Sequence, residues 1–359
     1  MQDNLVLGLY VMVVLVCAGG ILLFARHLRG CGSSSGWWHL ILGNALVLFA
    51  LLALGLLVGE VYYRFAYDAT DSLDYTKVSL RWFGRHYHPN SWGCRDNLEY
   101  TNSLAAGKRR ITFLGDSFTA GHGVKDVADV FALRLRQAHP EWEVQVLARP
   151  GFDTGNELQT MAACFTNQYQ VDQVVLVYCL NDIGDLIPES NEAVQRVYAE
   201  VDRSGWLRRH SYFINTVYNR LSLSWNPDLK QYFQLLVGAY RGPAWQQQQE
   251  RLKEMRDLVE SHGGRLAVVT FPFLQALGPK YEYQFVHDQL DKCWRVLGVP
   301  HLDLLTVYGR LPPRELVVNR FDSHPNEHAH ALAATAIDKF LQAQLAQRPI
   351  KPAGAAAAH

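Results

Sequence analysis

Ser117 lies in "GDSFTAG", residues 115–121, directly after Ile111 to Leu114, four residues that suit a buried strand. A serine in such a turn can cap a helix, line a phosphate loop or act as a nucleophile. The phosphate loop G-x-x-x-x-G-K-[ST] is absent, because His122-Gly123 comes after Gly121. The dinucleotide fingerprint G-x-G-x-x-G fails too. So does the elbow G-x-S-x-G, since Gly121 stands four residues beyond Ser117. A cap and a nucleophile remain.

A serine hydroxyl is a poor nucleophile until a base takes its proton, and an imidazole serves best when a carboxylate holds its tautomer. Both groups occur in "RFDSHPNEHAH", residues 320–330. Pro325 biases His324 toward extended backbone, where residues two apart share a side. Asp322 can therefore meet His324 through Nδ1. Pro325 also suits the first turn of a succeeding helix. Two further turns come after strand-like runs: "ARPGFDTG" with Gly151 and "VYCLNDIGD" with Asn181. The N–H groups of Ser117 and Gly151 and the Asn181 amide could hold a developing oxyanion, each such donor being worth roughly 3 kcal/mol.

These four stretches resemble, in their order, the four blocks of the SGNH (GDSL-like) hydrolases, over about residues 85–345. The membrane-tethered bacterial branch is the nearest in pattern, through "NSWGCRD", residues 90–96. The resemblance implies a flavodoxin-like three-layer α/β/α domain and a serine esterase or O-acyltransferase. It makes Ser117 the nucleophile, His324 the base and Asp322 the orienter, with Gly151 and Asn181 completing the oxyanion hole. It implies acylated surface glycans as substrate, with acetyl as the acyl group, and requires no metal or diffusible cofactor. Two positions depart from the pattern. The common block has Asp three residues before His, where Phe321 stands here, and a Gly two before the Asn, where Cys179 stands.

Neighbouring residues have simpler readings. Asp116 ties its turn together through backbone N–H groups. Asp182 caps the helix after Asn181. His330, two helical turns into the last helix, packs in the core; His328 is exposed; His122 is loop. Asn90 and Arg95 either position the preceding segment over the active edge or are structural.

The elements that must position these groups are read from apolar runs. Strands are expected at 111–114, 144–147, 174–178, 266–271 and near 301–304. Helices are expected at about 126–139, 154–168, 243–262, 280–297 and 326–346. Strands alternating with such helices indicate a parallel sheet of about five strands covered on both faces. The segment 183–242 is too long for a plain crossover. Leu207, Ile214, Val217 and Leu221 fall at helical spacing in it, so it is expected to be an aromatic-rich helical insertion with its own small core, or a lid near the sheet's C-terminal edge. Residues 66–346 form the expected hydrolase domain. The tail 347–359, "KPAGAAAAH" at its end, is expected to be disordered.

The chain's 359 residues balance 34 basic against 34 acidic, and no basic stripe suggests nucleic acid. Residues 4–25 and 40–59 carry no charge, and each suffices to cross a bilayer as a helix. Residues 1–65 are thus read as a membrane anchor of two transmembrane helices that contact lipid. A signal peptide followed by a core helix is the alternative, but no A-x-A site lies beyond the first run. Arg26 and Arg29 between the runs place that loop in the cytoplasm, and the catalytic domain on the periplasmic or extracellular side. Six cysteines match no zinc pattern, and a disulfide outside the cytoplasm is allowed. Two other functions stay open. One is a lipase or lysophospholipase at the membrane. The other is a degenerate glycan-binding scaffold among surface-polysaccharide assembly partners.

Overall fold

The computed structural model describes residues 2–31 and 36–346, so the expected disordered tail, 347–359, lies outside the described residues. In chain order the helices are α1 (Gln2–Cys31), α2 (Trp37–Val61), α3 (Lys77–His86), α4 (Ser117–Ala120), α5 (Phe131–Ala138), α6 (Thr154–Thr166), α7 (Pro188–Asp202), α8 (Trp206–His210), α9 (Tyr212–Ser224), α10 (Pro227–Ala239), α11 (Pro243–Ser261), α12 (Gln284–Leu297), α13 (Leu305–Tyr308) and α14 (Glu327–Ala346). The strands are β1 (Arg109–Gly115), β2 (Trp142–Ala148), β3 (Gln173–Cys179), β4 (Arg265–Phe271), β5 (His301–Asp303), β6 (Val317–Asn319) and β7 (Asp322–Pro325).

The described chain divides into two compact units. One comprises the described residues of Met1–Ala69, Asp74–Arg81 and Tyr198–Asn226; the other comprises those of Thr70–Leu73, Trp82–Val197 and Pro227–His359. The expected insertion, 183–242, is therefore split: α8 and α9 belong with the N-terminal helices, while α10 belongs with the sheet.

The larger unit is a three-layer α/β/α fold around five parallel strands in the order β2-β1-β3-β4-β5. Alternation along the strands explains the layers, because successive side chains point to opposite faces. Leu114, Leu176 and Val268 pack with Met161 of α6, Leu252 of α11 and Trp294 of α12. Ile111, Phe113, Val175 and Val269 pack with Phe131 of α5 and Ile337 of α14. β1, β3 and β4 are buried along nearly their whole length, as expected for a sheet covered on both sides. Strand order reverses between β1 and β3, and the crevice beyond the strands' C-terminal ends there is where open α/β sheets bind ligands.

The smaller unit contains two helices, Gln2–Gly30 and Trp37–Ala66, long and apolar enough to cross a membrane. Most of their large apolar side chains face outward; Leu15 is 66% exposed and Leu40 71%.

Candidate active site

Ser117 is the first residue of α4, immediately beyond β1. Asp116 makes the turn: its Oδ1 accepts the Phe118 N–H at 2.9 Å, as the capping reading expects. Gly121 ends α4 with φ +72°, and a Cβ there would lie 2.2 Å from Val130 Cγ2, so the turn requires glycine on two counts.

His324 approaches from the other side of the sequence. The expected loop before the last helix is in fact a short antiparallel hairpin of β6 and β7. Its extended backbone puts Asp322 and His324 on one side, both buried. Ser117 Oγ lies 2.9 Å from His324 Nε2, and His324 Nδ1 lies 2.6 Å from Asp322 Oδ1. Asp322 also accepts the His324 backbone N–H at 3.1 Å. With Nδ1–H donating to the carboxylate, Nε2 presents its lone pair to the serine hydroxyl. The spacing of two residues is thus sufficient for the contact, and Phe321 takes no part in it.

Two residues that sequence reasoning left aside join this cluster. The Thr70 hydroxyl donates to Asp322 Oδ2. Thr70 is held by the hairpin: Asn319 Nδ2 of β6 donates to the Thr70 carbonyl at 3.0 Å, and the Ser72 N–H to the carbonyl of Phe321, between β6 and β7, at 3.1 Å. His122, read as loop, is buried and stacks on His324, and its Nε2 lies 3.4 Å from Asp322 Oδ2. Burial alone would raise the Asp322 carboxyl, but the imidazoles of His324 and His122 outweigh it and hold it well below the usual carboxylate range.

His122, Asp322 and His324 offer ligand atoms within 4.8 Å of one another. The two rings are nearly parallel, however, and imidazole lone pairs lie in the ring plane, so they point alongside each other. His324 Nδ1 is already engaged by Asp322.

The remaining candidates leave the C-terminal ends of adjacent strands. Gly151 comes after β2 with φ +82°, a left-handed backbone that glycine adopts without strain. Its N–H donates to no carbonyl among the described residues. Asn181 comes after β3, and its amide is near enough to Asp116 to favour that carboxylate's charged form. Burial nevertheless raises the Asp116 carboxyl. Cys179, where the pattern has glycine, places its thiol 3.4 Å from Asp116 Oδ1. Asp182 does not cap the next helical turn; its Oδ2 reaches back to accept the Cys179 N–H at 2.8 Å.

His330 is a packing residue. Its Nδ1 accepts the Phe131 N–H at 3.3 Å, and burial pushes it down to about 3, so it stays neutral. His328 is exposed. Arg95 ties the preceding segment to the turn after Ser117: its guanidinium donates to the carbonyls of Gly121 (2.5 Å) and Val124 (2.6 Å), and its Nε to that of His86 (3.1 Å). It braces the turn that carries His122.

No protein-family model matches the chain, and no curated protein matches it. Among solved structures it is similar to esterases and lipases. A psychrotrophic esterase EstA from Pseudoalteromonas sp. is 14% identical, with a TM-score of 0.42 over 67% of this chain and 100% of that one. TesA is 13% identical, with a TM-score of 0.41 over 66% and 100%. A two-domain esterase active on acetylated mannans is 16% identical, with a TM-score of 0.37 over 71% of this chain and 54% of that one. The residues of the site, rather than these likenesses, carry the chemistry.

Proposed function

We propose that this chain is a membrane-anchored serine esterase or O-acyltransferase of the SGNH type. It acts outside the cytoplasm on ester groups, O-acetyl above all, of surface glycans. The observation that carries the reading is the continuous line from Asp322 through His324 to Ser117, at 2.6 Å and 2.9 Å.

Ser117 Oγ attacks the ester carbonyl while His324 Nε2 takes the hydroxyl proton. The carbonyl oxygen becomes an anion, held by the N–H groups of Ser117 and Gly151 and by the Asn181 amide. To serve there, that amide turns from Asp116 toward the substrate. The intermediate collapses, the C–O bond to the alcohol breaks, and Nε2 returns the proton to the departing alkoxide. Water or a sugar hydroxyl then attacks the acyl-enzyme by the same steps in reverse. Asp322 stays ionised throughout and stabilises the imidazolium. His122 and Thr70 are positioning residues that hold the carboxylate and the ring in place. The two apolar helices supply the anchor.

A fluorophosphonate probe tests the chemistry. The full chain in detergent should be labelled at Ser117, and the S117A variant should not. A chain that binds glycan without cleaving esters would stay unlabelled.

A further inference from the structure

We infer that α8 and α9 lie on the lipid surface as an interfacial element of the membrane unit. The inference rests on the proposed anchor and assigns a second, peripheral contact to it.

The reason is that α9 is inside out. Its polar residues Asn215, Thr216, Asn219 and Arg220 are buried, whereas Tyr218 and Leu221 are 49% and 56% exposed. The buried side makes polar contacts within its own unit. The Lys77 N–H donates to Asn215 Oδ1 at 2.8 Å, Arg208 Nε to Asn219 Oδ1 at 2.8 Å, and Arg220 Nη1 to the Tyr67 hydroxyl at 2.8 Å. On the other side Ile214 and Val217 are half-buried and Tyr218 and Leu221 exposed, with Trp225 in the turn just after the helix, so the stripe expected to bury itself in a small core is largely open. Trp225 is 87% exposed and Trp206 of α8 46%. A stripe of this kind, with arginines beside it, has the composition of helices that lie in the headgroup region. Arg203 and Arg209 are exposed next to it.

The element's height on the anchor is fixed by a polar knot. Glu60, in the last turn of α2, accepts the Ser211 hydroxyl at 2.7 Å and the Phe213 N–H at 3.1 Å, and pairs with Arg64 at 2.8 Å. Arg64 also reaches Asn4, at the start of α1, at 3.2 Å. The knot therefore joins the end of one apolar helix to the beginning of the other, where the polar boundary of a bilayer would fall. The Tyr10 hydroxyl also donates to Ser211 at 3.3 Å, so the α8–α9 junction sits at the level of this knot, where an interfacial helix would lie. α9 thus turns an apolar side outward within the same unit as the outward-facing α1 and α2. One occupant, lipid, covers all three.

The test uses the full chain in phosphatidylcholine–phosphatidylglycerol vesicles. Single environment-sensitive labels are placed at W225C, L221C, L51C on α2 and V296C on α12, in a Cys31→Ser background. Residues 51 and 296 are 60% and 78% exposed. Labels at 225 and 221 should be quenched by doxyl-lipid more than by iodide, as at 51, and the label at 296 should show the reverse. If 225 and 221 behave like 296 while 51 remains lipid-quenched, the inference is overturned and the anchor stands. If 51 is also open to iodide, the anchor fails and the inference with it.

Discussion

The imidazole of His122 lies flat against that of His324, with ring centres 3.8 Å apart and planes 12° apart. Its Nε2 also faces the carboxylate that orients His324, at 3.4 Å. His122 therefore meets His324 through both ring packing and the shared partner. H122F should keep the stacking and lose the polar contact, lowering kcat with KM little changed. H122A should lose both and fall further. Steady-state kinetics on a short acyl ester decide this; a change confined to KM would show that His122 lines the substrate site instead.

In the proposed mechanism Asp322 orients the base. D322N should keep the fold and lose up to about 10⁴-fold in kcat, because the wrong tautomer would face Ser117. T70V removes one charge-assisted hydrogen bond to the same carboxylate, worth about 1.5–3 kcal/mol, and should give a smaller loss in the same direction. The folded carboxyl titrates below its ordinary value, so its contribution to stability is full above that value and is lost only as pH falls through the depressed one. Wild type should be more stable than D322N by a constant margin above the ordinary carboxylate value, and thermal unfolding of the two should converge as pH falls through the depressed one.

The oxyanion donors should separate from the triad in their effects. N181A should lower kcat by about 10²- to 10³-fold. G151A should also cost about 1–2 kcal/mol in stability, because alanine resists the left-handed backbone that Gly151 adopts. Fluorophosphonate labelling of N181A at an unchanged rate would remove Asn181 from the hole.

Much of this site was legible in the sequence. The five apolar runs became the five parallel strands because a sheet covered on both faces demands continuous burial. The pairing of Asp322 with His324 came from extended backbone alone. The role of His122 was not legible. Its burial depends on Trp82 and Phe83, whose rings lie 6.3 Å and 5.2 Å from its own, and on Arg95 bracing its turn. No local pattern carries that information. The hairpin of β6 and β7 escaped because three- and four-residue strands have too little periodicity to read. The helical spacing of Ile214, Val217 and Leu221 marked α9, whereas Leu207, read with them, lies on the separate α8, and periodicity does not say which medium meets the apolar side.

Glu157 is buried on α6, and neither of its carboxyl oxygens has a hydrogen-bond partner among the described residues. Burial first, and the nearby Asp116, Asp153 and Asp185 next, push its carboxyl well above its ordinary value. Between the ordinary and the raised value the folded chain holds more protons than the unfolded one, so stability falls as pH rises, by up to about 1.4 kcal/mol per pH unit for each such proton. Asp116 and Asp182 share this direction. E157Q should flatten the decline without abolishing it. Melting temperatures in detergent across the neutral range would show this, and an unchanged slope would mean that Glu157 is ionised and paired in the folded protein.

Chelation should leave turnover unchanged, since the parallel rings of His122 and His324 do not converge on a common ion. Activity lost to EDTA and restored by zinc would contradict the proton-handling role of the cluster.

The most direct measurement is a mass spectrum of the full chain quenched during turnover of an activated acetyl ester. One added acetyl group should map to the peptide carrying Ser117, be absent from S117A, and decay faster when an acceptor oligosaccharide is supplied to a transferase. Turnover continuing in S117A, or an acetyl group mapped to any other residue, would contradict the account.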